Sequence, residues 1–152
     1  MQSADAFDAE KLSFLEFKLI KGQIDVPEEF DLEKIEAFEF ENNLEFSINV
    51  KEKRIKADFT IDIKTISNNE NKIEASASFH FRFTYEVTNL EDLNIIKDNN
   101  IMLEYNLGSA LSSITYSTAR GILLTRLQGT ALQKFILPII KPIKLLPLPK
   151  EI

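Results

Sequence analysis

The stretch NNIMLEYNLGSALSSITYSTARGILLTRLQG, residues 99–129, decides how the rest of the chain must be arranged. Its periodicity predicts one long helix over 99–129. Asn99 or Asn100 suits the start, because a short side-chain oxygen accepts from the free N–H groups of a first turn. Gly129 suits the position just past the end, where the backbone often turns left-handed. Arg126 lies beside the negative end of the helix dipole. Leu103, Leu107, Leu111, Ile114 and Thr118 recur at helical spacing. Met102, Tyr105, Ala110, Ala119, Ile122 and Leu123 widen that stripe beyond the roughly 100° arc of an ordinary surface helix. A helix apolar on more than one side needs more than one body to pack against, which points to an oligomer.

Outward from this stretch, toward the N-terminus, the period changes from about 3.6 to two. Leu44, Phe46, Ile48 and Val50 alternate with Glu45, Ser47 and Asn49. Ile55, Ala57, Phe59, Ile61 and Ile63 alternate with Lys56, Asp58, Thr60, Asp62 and Lys64. Ile73, Ala75, Ala77, Phe79, Phe81, Phe83, Tyr85 and Val87 alternate with Glu74, Ser76, Ser78, His80, Arg82, Thr84 and Glu86. A tight charged turn near residues 52–54 and the polar loop SNNENK, residues 67–72, join these runs. Alternation sustained this long means an antiparallel sheet with one apolar and one wet face. A slip of one residue would expose every phenylalanine, so the register is fixed. An earlier strand is expected over 12–26, with Leu15, Phe17 and Leu19 on one side. Gly22 marks a bulge or bend within it, and Pro27 ends it. The expectation is therefore an α+β fold, a four-stranded antiparallel up-and-down sheet followed by a long C-terminal helix packed on one face.

Between the first strand and the others lies PEEFDLEKIEAFEFENN, residues 27–43, with seven acids and Lys34 as its single base. One reading is a connecting arm whose Phe30, Phe38 and Phe40 dock on the domain while its acids face water. The other is an acidic aromatic patch that attracts basic, partly unfolded chains. Past the helix, ALQKFILPIIKPIKLLPLP, residues 131–149, holds Pro138, Pro142, Pro147 and Pro149. These forbid a regular helix, so 131–152 reads as an extended proline-rich tail lying in a groove of its own or of a neighbouring subunit. Residues 1–11 read as a flexible acidic lead-in.

The 152 residues fit a single domain spanning 1–152, long enough to bury a true core. With 44% hydrophobic and 28% charged residues the composition is that of an ordinary globular protein. No run reaches the roughly 18 apolar residues of a membrane span, and the acidic start does not read as a signal peptide. The absence of cysteine leaves no disulfide framework and no thiolate metal site, in keeping with a cytoplasmic protein. The net charge of −6 is concentrated before Ile101, since the remainder carries six bases against Glu104 and Glu151. An acidic body repels phosphates, so no nucleic-acid partner is expected.

Catalytic constellations are thin. His80, the single histidine, reads as a surface residue, because a metal site ordinarily wants several such ligands. Asp58 and Asp62 share one strand face that Glu74 or Glu86 could approach, yet acid–base work needs a cleft that shifts one pKa. Ser112, Ser113, Thr115, Ser117 and Thr118 read as a polar helix seam without a base in reach. No glycine-rich phosphate loop is present. The expectation is a protein with no catalytic residues, no metal and no cofactor.

The order of elements and several strings resemble the SecB family of export chaperones. FLEFKLIKGQIDVP, residues 14–27, is similar to the family's first strand, with an acid and a proline close together as Asp25 and Pro27. TYSTARGILLTRLQGT, residues 115–130, carries the family's aromatic-x-x-Ala-Arg pattern as Tyr116, Ala119 and Arg120. An apolar helix then closes on Gly129 and Thr130, and Pro138 falls in an extended apolar stretch, as in the family. The likeness spans residues 12–142.

This resemblance implies a homotetramer, a dimer of dimers, with the long helices sandwiched between sheets. Leu107, Leu111, Ile114, Thr118 and Ile122 become the candidate interface. It implies ATP-independent holding of unfolded or precursor chains in apolar grooves, with Phe30, Phe38, Phe40, Phe83, Tyr85 and Tyr105 as candidate client contacts. Asp25 is the position that carries over for docking on the translocase motor SecA. The family's second C-terminal helix has no counterpart in the proline-rich end. Two alternatives stay open: a SecB-like chaperone attached to a toxin–antitoxin system, and an oligomeric binding module for a small apolar ligand.

Overall fold

The computed structural model describes residues 7–68, 70, 72–97, 100–141, 144 and 150–151. Four long strands, β1 (Leu12–Asp25), β2 (Ile35–Asn49), β3 (Arg54–Ser67) and β4 (Ser76–Val87), form one antiparallel sheet in the order β1-β4-β3-β2. β2, β3 and β4 follow one another as hairpins, while the 26–34 connection crosses the sheet end and leaves β1 beside β4, a Greek-key arrangement in place of the expected up-and-down order. The alternation read from the sequence is realised in β3 and β4: Ile55, Ala57, Phe59, Ile61 and Ile63 lie opposite Tyr85, Phe83, Phe81, Phe79 and Ala77, all buried. Their polar neighbours face solvent.

Two expectations about strands need correction. The acidic segment 27–43 is not a free connecting arm: β2 begins at Ile35 and pairs with β3 along its whole length, Phe38 opposite Thr65 and Phe40 opposite Ile63. Phe38, Phe40, Leu44, Phe46 and Ile48 face the core cluster, so the apolar alternation runs on through the acids, which line the other face. In β1, the expected alternation of Leu15, Phe17 and Leu19 is interrupted. The register with β4 shifts between Phe14 and Glu16 and again between Leu19 and Lys21. Each shift inserts an unmatched residue, Leu15 and Ile20, so Phe14, Phe17 and Leu19 stand opposite Tyr85, Phe83 and Phe81. Gly22 lies beyond the second shift, opposite Phe79, where an added Cβ would stand 3.3 Å from the Leu19 side chain and 3.4 Å from the Phe79 ring. It gives room for that ring and leaves the irregularity to its neighbours.

After β4 comes one helical turn, α1 (Leu90–Leu93), then a hairpin of β5 (Asn94–Lys97) and β6 (Asn100–Leu103). The long helix, α2, spans Tyr105–Arg126. The expected start at Asn99 or Asn100 is therefore corrected: Asn99 lies outside the described residues, and Asn100 belongs to β6. Glu104 caps the helix, its two carboxylate oxygens accepting from the Asn106 and Leu107 N–H groups at 2.9 and 3.0 Å. A four-residue strand is too short to break a helical pattern by periodicity, so Met102 and Leu103 fit the helical stripe although they belong to β6. Glu104→Ala should cost about 1 kcal/mol of stability, read as a lower urea midpoint at constant slope; an unchanged midpoint would deny the cap.

α2 lies over the sheet. Leu107, Leu111, Ala119 and Leu123 are buried, Tyr116 meets Phe59 edge-on at 6.0 Å, and the Tyr85 hydroxyl bonds the Thr115 hydroxyl at 2.7 Å. Burial pushes the Tyr85 hydroxyl pKa up, and the Thr115 hydrogen bond pulls it back in part. Beyond the helix Gly129 takes a φ of +78°, as a left-handed turn requires. Leu127, Leu132, Phe135 and Leu137 return into the core. Pro138 lies in a stretch with neither helix nor strand, whereas Pro142, Pro147 and Pro149 fall outside the described residues. A two-residue strand, β7 (Lys150–Glu151), pairs with β6. In the lead-in, Asp8 caps a 3-10 turn over Ala9–Lys11 and Phe7 packs against the core; residues 1–6 are outside the described residues.

Candidate functional site

The six aromatic residues expected at a client groove do not gather in one place. Phe83 and Tyr85 are buried in the sheet core, where Phe14 and Phe17 close over them at ring distances of 5.3 to 5.8 Å. Phe38 and Phe40 stand at the other end. Phe40 is in register with Ile63 and that with Ala77, eight residues along β4 from Tyr85, roughly 26 Å away at strand rise. Both rings are met edge-on by Phe135, at 5.7 and 5.4 Å. Phe30 is half-buried against the core, and Tyr105 is 55% exposed at the first residue of α2.

An open groove does form beside Phe38. The turn 32–34 and the start of β2 face the turn after α2, enclosing about 430 Å³. Leu32, Ile35, Ala37, Phe38 and Ala131 supply its apolar lining, and Glu33, Glu36 and Lys134 its charged rim. Leu32 is 57% exposed. Asp31 caps the turn by accepting from the Glu33 N–H at 3.0 Å, which holds Leu32 outward. Of this lining only Phe38 was singled out from sequence. Leu32 and Ile35 sit among acids, and Ala131 and Lys134 are remote in the chain, so nothing local marks them.

A second apolar surface lies where β1 overhangs the helix. Phe17, Thr118, Gly121, Ile122, Thr125 and Arg126 line a cleft of about 510 Å³. Phe14 is 47% exposed, and Leu19 and Ile114 also face outward. The expected interface therefore divides. Leu107 and Leu111 are fully buried against their own sheet, while Ile114, Thr118 and Ile122 lie on the open side of α2.

The solvent face of the sheet is polar. Asp58 accepts from Arg82 Nε at 2.8 Å, and its Oδ1 lies 2.9 Å from His80 Nε2; Ser78 donates to Asp62 at 2.6 Å. Glu74 accepts instead from the Thr65 hydroxyl and the Ser67 N–H, each at 2.8 Å, and Glu86 pairs with Arg54. Burial raises the Glu74 pKa, but the hydrogen bonds from Ser67 and Thr65 outweigh that and hold it below the ordinary value. The carboxylates thus do not converge on the aspartates. Asp25 faces a groove of about 610 Å³ on this side, with Lys21, Glu39, Glu41, Asp62 and Lys64.

No family model matches this sequence, and no curated protein matches it. Among solved structures, the chain is similar to the SecB-like chaperone Rv1957 of Mycobacterium tuberculosis, captured in complex with a ChAD peptide from the Rv1956 HigA1 antitoxin. The superposition covers 87% of this chain and 92% of that one, with a TM-score of 0.59 and 14% sequence identity. The antiparallel sheet with its following helix is therefore a SecB-like fold.

Proposed function

We propose that the protein is an ATP-independent holdase of the SecB-like kind, which binds unfolded polypeptide segments without cofactor or catalysis. The observation that carries this reading is the groove at the start of β2, apolar inside and acid-rimmed, with Leu32 open to solvent and Ile35 partly exposed. Burial of such side chains gives affinity without directionality, at about 25 cal/mol per Å² of apolar surface. Glu33 and Glu36 draw segments bearing lysine or arginine. β2 is also an edge strand, so its backbone can add hydrogen bonds to an extended client.

The SecB-like fold supports the chaperone class, and the antitoxin peptide held by the similar structure favours a toxin–antitoxin setting over export. If the motor SecA is a partner, Asp25 in the groove with Lys21, Glu39, Glu41 and Lys64 is the position at which its docking is to be tested. A cytoplasmic location belongs to the same proposal; among the described residues no helix is long and apolar enough to cross a membrane.

The second part of the proposal is a homotetramer assembled through the β1–α2 cleft. Phe14, Phe17 and Ile114 are exposed apolar groups in one subunit, and Ile122 beside them is only partly covered. Gly121 sits mid-helix with nothing within 4 Å of where its Cβ would lie, so its own chain gives no steric reason for glycine. A close-packed second helix does.

Suppression of aggregation of a chemically denatured client, without nucleotide, tests the function, with native mass spectrometry reporting the assembly. A tetramer that suppresses aggregation is expected; a small molecule extracted from the purified protein, with no suppression, would favour the ligand-binding module. Leu32→Ser with Ile35→Ser should weaken client affinity at least about tenfold and leave the unfolding transition nearly in place.

A further inference from the structure

Residues 135–141, after the turn that follows α2, have neither helix nor strand structure. Phe135 and Leu137 point inward and are buried, while Ile136 and Ile139 point out, 61% and 84% exposed. Among the described residues, 136–140 make no backbone–backbone hydrogen bond. One side chain ties their backbone down: the Tyr116 hydroxyl donates to the Pro138 carbonyl. Burial raises the Tyr116 pKa, with the Arg120 guanidinium opposing, so the hydroxyl keeps its proton and remains a donor.

An extended, apolar segment with alternate side chains inserted and its backbone unladdered is how an unfolded client would lie on this protein. The surface that Phe135 covers is the pair Phe38 and Phe40, and Phe38 also lines the open groove. The groove therefore continues beneath the tail. Pro138 pre-extends the segment, so releasing it frees less backbone entropy than a flexible segment would gain. Segments held by few backbone hydrogen bonds open locally at low cost.

We propose that residues 135–140 are a built-in occupant of the client site, a pseudo-client whose displacement uncovers Phe38 and Phe40 and extends the usable groove. This regulation rests on the holdase reading above. A client that engages the open half at Leu32 and Ile35 competes for the covered half by lifting Phe135, and the tail falls back when the client leaves. Such an occupant keeps two aromatic rings from solvent in the empty protein. It also sets a threshold: the apparent affinity of a client is reduced by the fraction of molecules in which the tail is seated.

The test uses the full chain and a synthetic decapeptide alternating phenylalanine or leucine with arginine. Hydrogen exchange read by mass spectrometry on the wild type should show residues 135–141 exchanging at least about threefold faster when the peptide saturates the protein. Tyr116→Phe, which removes the tie to Pro138 and keeps the ring, should tighten the peptide about fivefold, the worth of one ordinary hydrogen bond. Exchange at 135–141 that is unchanged or slowed by bound peptide overturns the proposal, as does equal affinity of the two proteins; the holdase reading survives either result. A peptide that binds neither protein removes both.

Discussion

Phe81→Ala is expected to lower the unfolding free energy by about 3–5 kcal/mol, a large part of the roughly 5–15 kcal/mol that holds a domain together. Phe81 is fully buried at the centre of the sheet, in register with Phe59 on one side and Leu19 on the other. Its ring stacks on Phe59 at 6.3 Å and meets Phe17, Phe79 and Phe83 at 5.6 to 6.5 Å. Strands on both sides and α2 above leave little freedom to collapse into the vacated space, so the cost belongs near the upper end of that range. Urea unfolding followed by circular dichroism, at one fixed protein concentration because assembly adds to stability, gives the value. A loss below about 1 kcal/mol would mean that the sheet centre is not packed in this way.

Gly121→Leu should raise the dissociation constant of the assembly about a hundredfold while the subunit stays folded. Glycine inside a helix costs about 1 kcal/mol against alanine, and the space around Gly121 is open on its own subunit. Inside the chain, a larger residue is therefore free of clashes and a better helix former. Across an interface it is the reverse: overpacking costs about 1–3 kcal/mol. A two-fold contact meets the residue twice, and each 1.4 kcal/mol is about tenfold in affinity. Sedimentation velocity over a concentration series separates the two effects, since thermal stability of the isolated subunit should rise as assembly weakens. Unchanged assembly would remove this face of α2 from the interface.

The elements and their buried faces were largely legible in the residues. β3 and β4 followed from strict alternation, and Gly129 from the left-handed turn that only glycine takes without strain. The start of α2 was not: Ile101, Met102 and Leu103 fit a helical stripe and a short strand equally well, and Glu104 is an uncommon cap. The start of β2 is hidden because acids surround Phe38 and Phe40 and Asn42 interrupts the apolar alternation that resumes at Leu44. The two shifts in β1 left no sequence mark apart from a nearby glycine. The client groove was half legible. Phe38 and Phe40 were visible as aromatics among acids, but their covering by Phe135 joins residues almost a hundred positions apart. Phe83 and Tyr85 are closed off by β1 and the helix, a long-range packing that their own strand does not encode.

The carboxylates of Glu39, Glu41 and Glu45 along the solvent side of β2 have a bearing on self-recognition. A bare, regular border strand invites an identical strand from another copy, and repetition of that event makes a fibre. Two such borders laid side by side would crowd acid against acid, whereas a foreign segment rich in lysine or arginine meets no such penalty. The same row that welcomes strangers thus turns away kin, so a protein that handles sticky chains is spared from polymerising on itself.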